Sequence, residues 1–107
     1  MRFVVTGGAG FIGSYITKLL VKKNHDVIIL DNMHTGKKEN ILNDKKVQFH
    51  NIDIRNYESL EKYTHNVDGI FHEAGLTLVP ESFEKPEEYY DVNVNGTENI
   101  FKISKKF

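Results

Sequence analysis

The apolar run Phe3-Val4-Val5 leads directly into Thr6-Gly7-Gly8-Ala9-Gly10-Phe11-Ile12-Gly13, and no other stretch constrains the fold as tightly. Glycines 8, 10 and 13 fit G-x-G-x-x-G, while glycines 7, 10 and 13 fit the related T-G-x-x-G-x-x-G. Either spacing reads as a strand that turns tightly into a helix. Bare backbone there can then approach a pyrophosphate, and Gly13 lets helix and strand pack closely. The helix start supplies unpaired N–H groups, those of Phe11 and Ile12 among them, and the positive end of its dipole. The junction therefore predicts a dinucleotide site. A glycine-rich turn alone can be only a turn, so the residues around it decide.

Those residues alternate between strand and helix patterns. Arg2 to Val5 reads as a buried strand. Phe11, Ile12, Tyr15, Ile16, Leu19 and Leu20 follow helical spacing until Lys22, Lys23 and Asn24 close the segment, and Phe11 and Tyr15 are expected to pack in the core. Val27-Ile28-Ile29-Leu30 is an uninterrupted apolar run too short for a helix, as expected of a strand covered on both faces. Residues 32 to 46 are rich in Asn, Lys, Gly and Asp and read as a loop or a poorly packed helical turn, after which Val47-Gln48-Phe49 resumes the sheet. Asn56 is placed to cap a helix carrying Leu60 and Tyr63 inward, and Gly69-Ile70-Phe71-His72 reads as a fourth strand.

From Pro86 onward, Tyr89, Asn93, Gly96, Ile100, Ile103 and Phe107 line one helical face and Tyr90, Val94 and Phe101 another. Two apolar faces imply two neighbours. One is the sheet; the other is either a partner subunit, as in a homodimer formed through this helix, or a further part of the protein. Right-handed crossovers place the strands in the order 3-2-1-4. The fold class is thus α/β, a partial Rossmann-type doubly wound parallel sheet with helices on both faces and its binding crevice beside the first strand.

Composition removes several alternatives. The chain has 107 residues, enough for one small domain and no second one. Lysine and arginine number 14 against 15 acidic residues, and the lysine pairs are scattered, so no field favours nucleic acid. The absence of cysteine excludes a disulfide framework and a thiolate metal site, and the five histidines lack close ligand spacing. No apolar run approaches the roughly 20 residues that span a bilayer. A cytoplasmic, soluble protein without metal or membrane partner is expected.

Asp31 lies 18 residues beyond Gly13, at the carboxyl end of the second strand, where an acid can accept hydrogen bonds from the adenosine ribose hydroxyls. Its charge would repel a 2′-phosphate, which favours NAD over NADP; Lys37 and Lys38 offer an opposing phosphate site. Asp53-Ile54 follows the third strand, where the carboxylate either accepts from an adenine amino group or is an ordinary strand-ending acid. His72, in an apolar strand, fits a satisfied core histidine better than a catalyst. Glu73 is either a solvated loop acid or a neighbour of the nicotinamide end. Asn93 is a polar residue in an apolar stripe and so needs a partner, whether backbone near the cofactor or the fourth strand.

Taken together, Thr6 to Gly13, Leu30-Asp31-Asn32, Asp53-Ile54-Arg55, Phe71-His-Glu-Ala-Gly75 and Asn93-Val-Asn-Gly-Thr97 resemble the extended short-chain dehydrogenase/reductases, the NAD-dependent sugar-nucleotide epimerases and dehydratases. Lys85 to Thr97 looks most like the UDP-glucose and related UDP-hexose 4-epimerases. The resemblance implies that Gly7, Gly10, Phe11, Ile12 and Gly13 hold the pyrophosphate, and that Asp31 and Asn32 hold the adenosine ribose with Thr35 and Gly36 folded over that end. It implies Asp53 and Ile54 at adenine, and Ala74, Gly75 and Leu76 beside the nicotinamide ribose and ring. Some 4-epimerases carry lysine where this chain has Thr77, which leaves the hexose open.

Members of that family act through a tyrosine with a lysine four residues later, on a UDP-sugar substrate. Here the tyrosines at 15, 57, 63, 89 and 90 are followed at that spacing by Leu19, Glu61, Val67, Asn93 and Val94. Residues 1–107 are therefore expected to be the N-terminal part of an NAD-binding domain, with the catalytic pair and the substrate domain outside it. Two readings follow: the cofactor half of a nucleotide-sugar epimerase, or a non-catalytic NAD- or nucleotide-binding module; another dehydratase or epimerase of the superfamily fits the same motifs. A scaffold with a purely structural glycine loop is the third.

Overall fold

The β2 sequence Asp-Val-Ile-Ile-Leu-Asp forces the architecture, because its four central residues alternate between two faces and all four are apolar. Such a strand is stable only with helices on both sides, and the structure supplies them. The computed structural model describes residues 1–75 and 83–106. In chain order these form β1 (Arg2–Thr6), α1 (Phe11–Lys22), β2 (Asp26–Asp31), a 3-10 turn (Lys38–Asn40), β3 (Val47–Asn51), α2 (Tyr57–Tyr63) and β4 (Gly69–His72). The last helical rod is α3 (Pro86–Tyr90), a π-helical stretch (Asp91–Gly96) and α4 (Thr97–Lys106).

The sheet is parallel throughout, in the order β3-β2-β1-β4, as the right-handed crossovers require. Thr6 pairs with Leu30 on one side and His72 on the other, so the carboxyl ends of three strands lie level and their loops share one edge. Val4, Ile28 and Leu30 pack under α2, α3 and α4 with Leu60, Tyr89, Ile100 and Ile103. Val5, Val27 and Ile29 face the other way, against Ile16, Leu20 and Val21 of α1. Asn56 caps α2 by accepting the Ser59 N–H at 3.2 Å, and Leu60 is fully buried.

Two sequence expectations are corrected. Phe11 and Tyr15 are not core residues: they are 75% and 54% exposed, and meet each other edge to face at 5.2 Å. The fully buried residues of α1 are Gly13, Ser14 and Thr17, small residues that let the helix start sit against the glycine loop, while Ile16, Leu20 and Val21 pack on the sheet further along. Asn93 is likewise exposed rather than inward. A π-helical turn holds an extra residue per turn relative to an α-helix, which shifts the register after Tyr89 and puts Val92 in the buried place. Tyr90, Val94 and Phe101 are exposed, as a second apolar face would require.

Candidate functional site

The glycine loop closes on itself before it can open onto a ligand. The Gly7 N–H donates to the Leu30 carbonyl at 2.8 Å and the Gly10 N–H to the Gly7 carbonyl at 3.0 Å. Gly7 has φ +70, and a Cβ there would lie 2.7 Å from the Glu73 carbonyl carbon. Both its conformation and its contact with the end of β4 thus demand glycine. Gly13 sits behind the loop, where a Cβ would lie 2.2 Å from the Gly7 oxygen. Gly10 is the N-cap of α1 and no side chain caps that helix, so its first N–H groups, which have no intrahelical acceptor, are not taken by a capping side chain.

Asp31 is the structural partner of this loop. One carboxylate oxygen accepts the Ala9 N–H at 3.0 Å and the other the Met33 N–H at 2.7 Å. The Ala9 carbonyl accepts in turn from the Lys37 N–H at 3.0 Å and the Asn40 side chain at 2.9 Å. Ala9 is fully buried; its N–H is held by the last residue of β2 and its carbonyl by the segment that follows. The loop and that segment are therefore one unit. Gly36 belongs to it, since a Cβ there would lie 2.9 Å from the Ala9 methyl and 3.1 Å from an Asp31 oxygen.

A cleft opens over this unit at the carboxyl edge of the sheet. Of the residues expected at a site, it gathers Gly7, Gly10, Asp31, Asn32, Thr35, Gly36, Ile54, Ala74 and Gly75. Phe11 and Ile12 stand on the exposed first turn of α1, and Leu76 lies outside the described residues. Asp53 sits in an adjoining open depression with Arg55, Asn56 and Tyr57. Its carboxylate is clamped by the Arg55 guanidinium at 2.6 Å, and that bond holds its pKa below the usual value. Arg55 also reaches Asp91 at 3.4 Å, and Asn99 donates to the Ile54 carbonyl at 3.0 Å, so the end of β3 is tied to the last helix.

His34, Ile52, Glu73 and Val92 line the cleft as well. Glu73 was an open alternative in the sequence, and Ile52 was readable as the neighbour of Asp53. Val92 was hidden by the π-turn. At the back wall, Thr6 is fully buried and its hydroxyl accepts the Glu73 and Ala74 N–H groups at 3.0 and 3.1 Å, fixing the loop after β4. His72, between Thr6 and Thr97, has its pKa lowered by burial, while Glu73 pulls the other way. Asn93 faces this loop, its Oδ1 being 3.2 Å from the place a Gly75 Cβ would take.

A parallel sheet in this order, with a glycine loop at the first crossover and its crevice at the strand carboxyl ends, defines a Rossmann-type α/β domain. Comparison with known proteins narrows this further: residues 3–107 match the NAD dependent epimerase/dehydratase family, and the chain belongs to it. The UDP-glucose 4-epimerase of Schizosaccharomyces pombe is 39% identical over 111 residues, covering 97% of this chain and 31% of that protein. Among solved structures, the Thermus thermophilus UDP-glucose 4-epimerase in complex with NAD superposes with a TM-score of 0.87 at 37% identity, covering 99% of this chain and 34% of that one. The Thermotoga maritima enzyme with UDP-glucose gives 0.91 at 31% identity, with 99% and 34% covered. The chain thus spans about a third of the length of these relatives.

Proposed function

We propose that residues 1–107 form the NAD-binding part of a UDP-hexose 4-epimerase. The observation that carries this is the unit built on Ala9, in which the glycine loop, Asp31 and the segment through Asn40 are joined by hydrogen bonds at the mouth of one cleft. A dinucleotide has its pyrophosphate and its adenosine ribose side by side, and this unit offers a partner for each. The Phe11 and Ile12 N–H groups at the uncapped start of α1 suit the pyrophosphate. Asp31 has about four lone-pair directions and spends two on Ala9 and Met33, leaving two for the ribose hydroxyls.

The same carboxylate repels a 2′-phosphate, so the site selects NAD over NADP. Asn32, Thr35 and Gly36 close the ribose end. Ile54 packs on adenine, and Asp53 accepts from its amino group while sharing its oxygens with Arg55. Ala74 and Gly75, with Leu76 following, run beside the nicotinamide ribose, and Glu73 borders that end. Bound NAD supplies a reversible hydride acceptor, as the relatives' activity at a sugar carbon requires. This chain's residues grip and orient it. No tyrosine of the sequence is followed four residues later by lysine, so these residues do not themselves supply the Tyr-x-x-x-Lys pair for proton handling at a UDP-sugar.

The absence of that pair also favours a second reading, a module that binds NAD without turnover. Calorimetric titration tests both: NAD binds and NADP binds at least tenfold more weakly, whereas equal affinities would sink the assignment of Asp31. With NAD present, the 107-residue chain alone converts no UDP-glucose to UDP-galactose by NMR; turnover would overturn the placing of the chemistry elsewhere. The exposed Tyr90, Val94 and Phe101 suit a second copy of the chain, and a strictly monomeric mass in light scattering would count against that pairing.

A further inference from the structure

His72 belongs to no step above, yet its surroundings leave it one protonation state. Among the described residues the Thr6 hydroxyl has three polar neighbours: the Glu73 N–H at 3.0 Å, shared with the Thr6 carbonyl, the Ala74 N–H at 3.1 Å, and His72 Nδ1 at 2.7 Å. Two of these are donors. The hydroxyl proton can go only to the imidazole, so Nδ1 accepts and carries no hydrogen. The ring proton is then on Nε2, which donates to Thr97 Oγ1 at 2.8 Å.

The chain of bonds runs from β1 through β4 to the first residue of α4, directly after the π-turn. It connects the Glu73–Gly75 loop on one side of the cleft to the helix bearing Val92 and Asn93 on the other. We infer that His72 is a positioning residue for the cofactor cleft, kept as the neutral Nε2–H tautomer by the Thr6 hydroxyl so that both walls stay in register. A proton on Nδ1 would face an oxygen that already receives two N–H groups and would leave the Thr6 hydroxyl proton without an acceptor. One of the two N–H bonds to that oxygen must then give way; Glu73 is still held by the Thr6 carbonyl, so the loop shifts where the Ala74 bond is lost. β1 and α4 face the ring with hydroxyls that do not titrate in this range, and the charged neighbour on its own strand end is Glu73, which favours the proton.

This positioning role rests on the NAD reading of the cleft; the tautomer does not. Long-range 1H–15N spectra of the 15N-labelled chain at pH 7.5 should show His72 with a protonated Nε2 and a bare Nδ1. A protonated Nδ1, or an averaged pair, would overturn the inference without touching the NAD assignment. NAD affinity should fall as His72 takes up its proton. His72→Asn, whose Oδ1 can replace Nδ1 as the acceptor for Thr6, should keep most of the affinity and flatten that pH dependence. His72→Leu removes both ring bonds, to Thr6 and to Thr97, and should weaken NAD roughly tenfold or more. Equal pH profiles in wild type and His72→Asn would refute the positioning role. Absence of NAD binding at pH 7.5 in the wild type would refute the cofactor reading and the role together, while the spectrum would still report on the tautomer.

Discussion

Replacing Gly13 by alanine would be stabilising in most helices, since alanine exceeds glycine by about 1 kcal/mol of helix propensity. Here the sign should reverse. The new methyl carbon would stand 2.2 Å from the Gly7 oxygen, 2.9 Å from the Gly7 carbonyl carbon and 2.9 Å from Gly8 Cα, all of them backbone. To reach the 3.4 Å at which ordinary contact begins, the loop must retreat by about 1.2 Å. Gly7 cannot retreat freely, because its N–H is bonded to Leu30 at 2.8 Å and its carbonyl to Gly10 at 3.0 Å. Overpacking of a rigid site costs about 1–3 kcal/mol, and a clash with backbone belongs at the upper end. Against a propensity gain of about 1 kcal/mol, the net destabilisation is about 1–2 kcal/mol. Urea unfolding followed by circular dichroism measures it as a lower midpoint with unchanged slope. An equal or higher midpoint would refute the close-approach account of Gly13.

Gly10→Val contrasts with it: the backbone there, φ −81 and ψ 177, suits any residue, and a Cβ meets only the Gly7 oxygen, at 3.2 Å. It should lose NAD binding by calorimetry while costing no more than about 1 kcal/mol of stability through a poorer cap. Asn56→Ala should cost about 0.5–2 kcal/mol in urea by removing the acceptor for Ser59, and Leu60→Ala about 2–5 kcal/mol by opening a cavity under α2; a smaller loss in the second would mean the site collapses on itself. Folding lowers the pKa of His72, chiefly by burial, and of His50, by burial and then by Lys62. The unfolded chain therefore binds more protons below about pH 6.5, and stability is complete above that value and falls as pH drops toward the lowered folded values. Urea midpoints from pH 8 to 5 check this, and a midpoint that rises on acidification would contradict it.

The sheet was legible because each strand carries its own evidence. Val27 to Leu30 could be stable only between two layers, and Asn56 marked the start of α2 by a side-chain bond formed within three residues. The glycine motif and Asp31 were legible for the same reason: local backbone geometry and one charge at a strand end. What escaped was set by contacts distant in sequence. Apolar periodicity in α1 pointed to Phe11 and Tyr15 as core along with Ile16 and Leu20, but the requirement at the glycine loop was small volume, met by Gly13, Ser14 and Thr17. The π-turn that exposes Asn93 and buries Val92 leaves no mark in the residue pattern, because periodicity assumes a constant rise and twist. The bonds from Asn40 to Ala9 and from His72 to Thr97 join segments 31 and 25 residues apart, and nothing local announces either.

One cleft, built on the glycine loop and Asp31, is proposed to hold NAD. Titrating NAD into the 15N-labelled chain and following its backbone amides tests this at residue resolution. Shifts should concentrate at Gly7 to Gly13, Asp31 to Gly36 and Glu73 to Gly75. Amides unmoved at millimolar NAD, or movement confined to the opposite end of the sheet around Thr64 to Ile70, would contradict it.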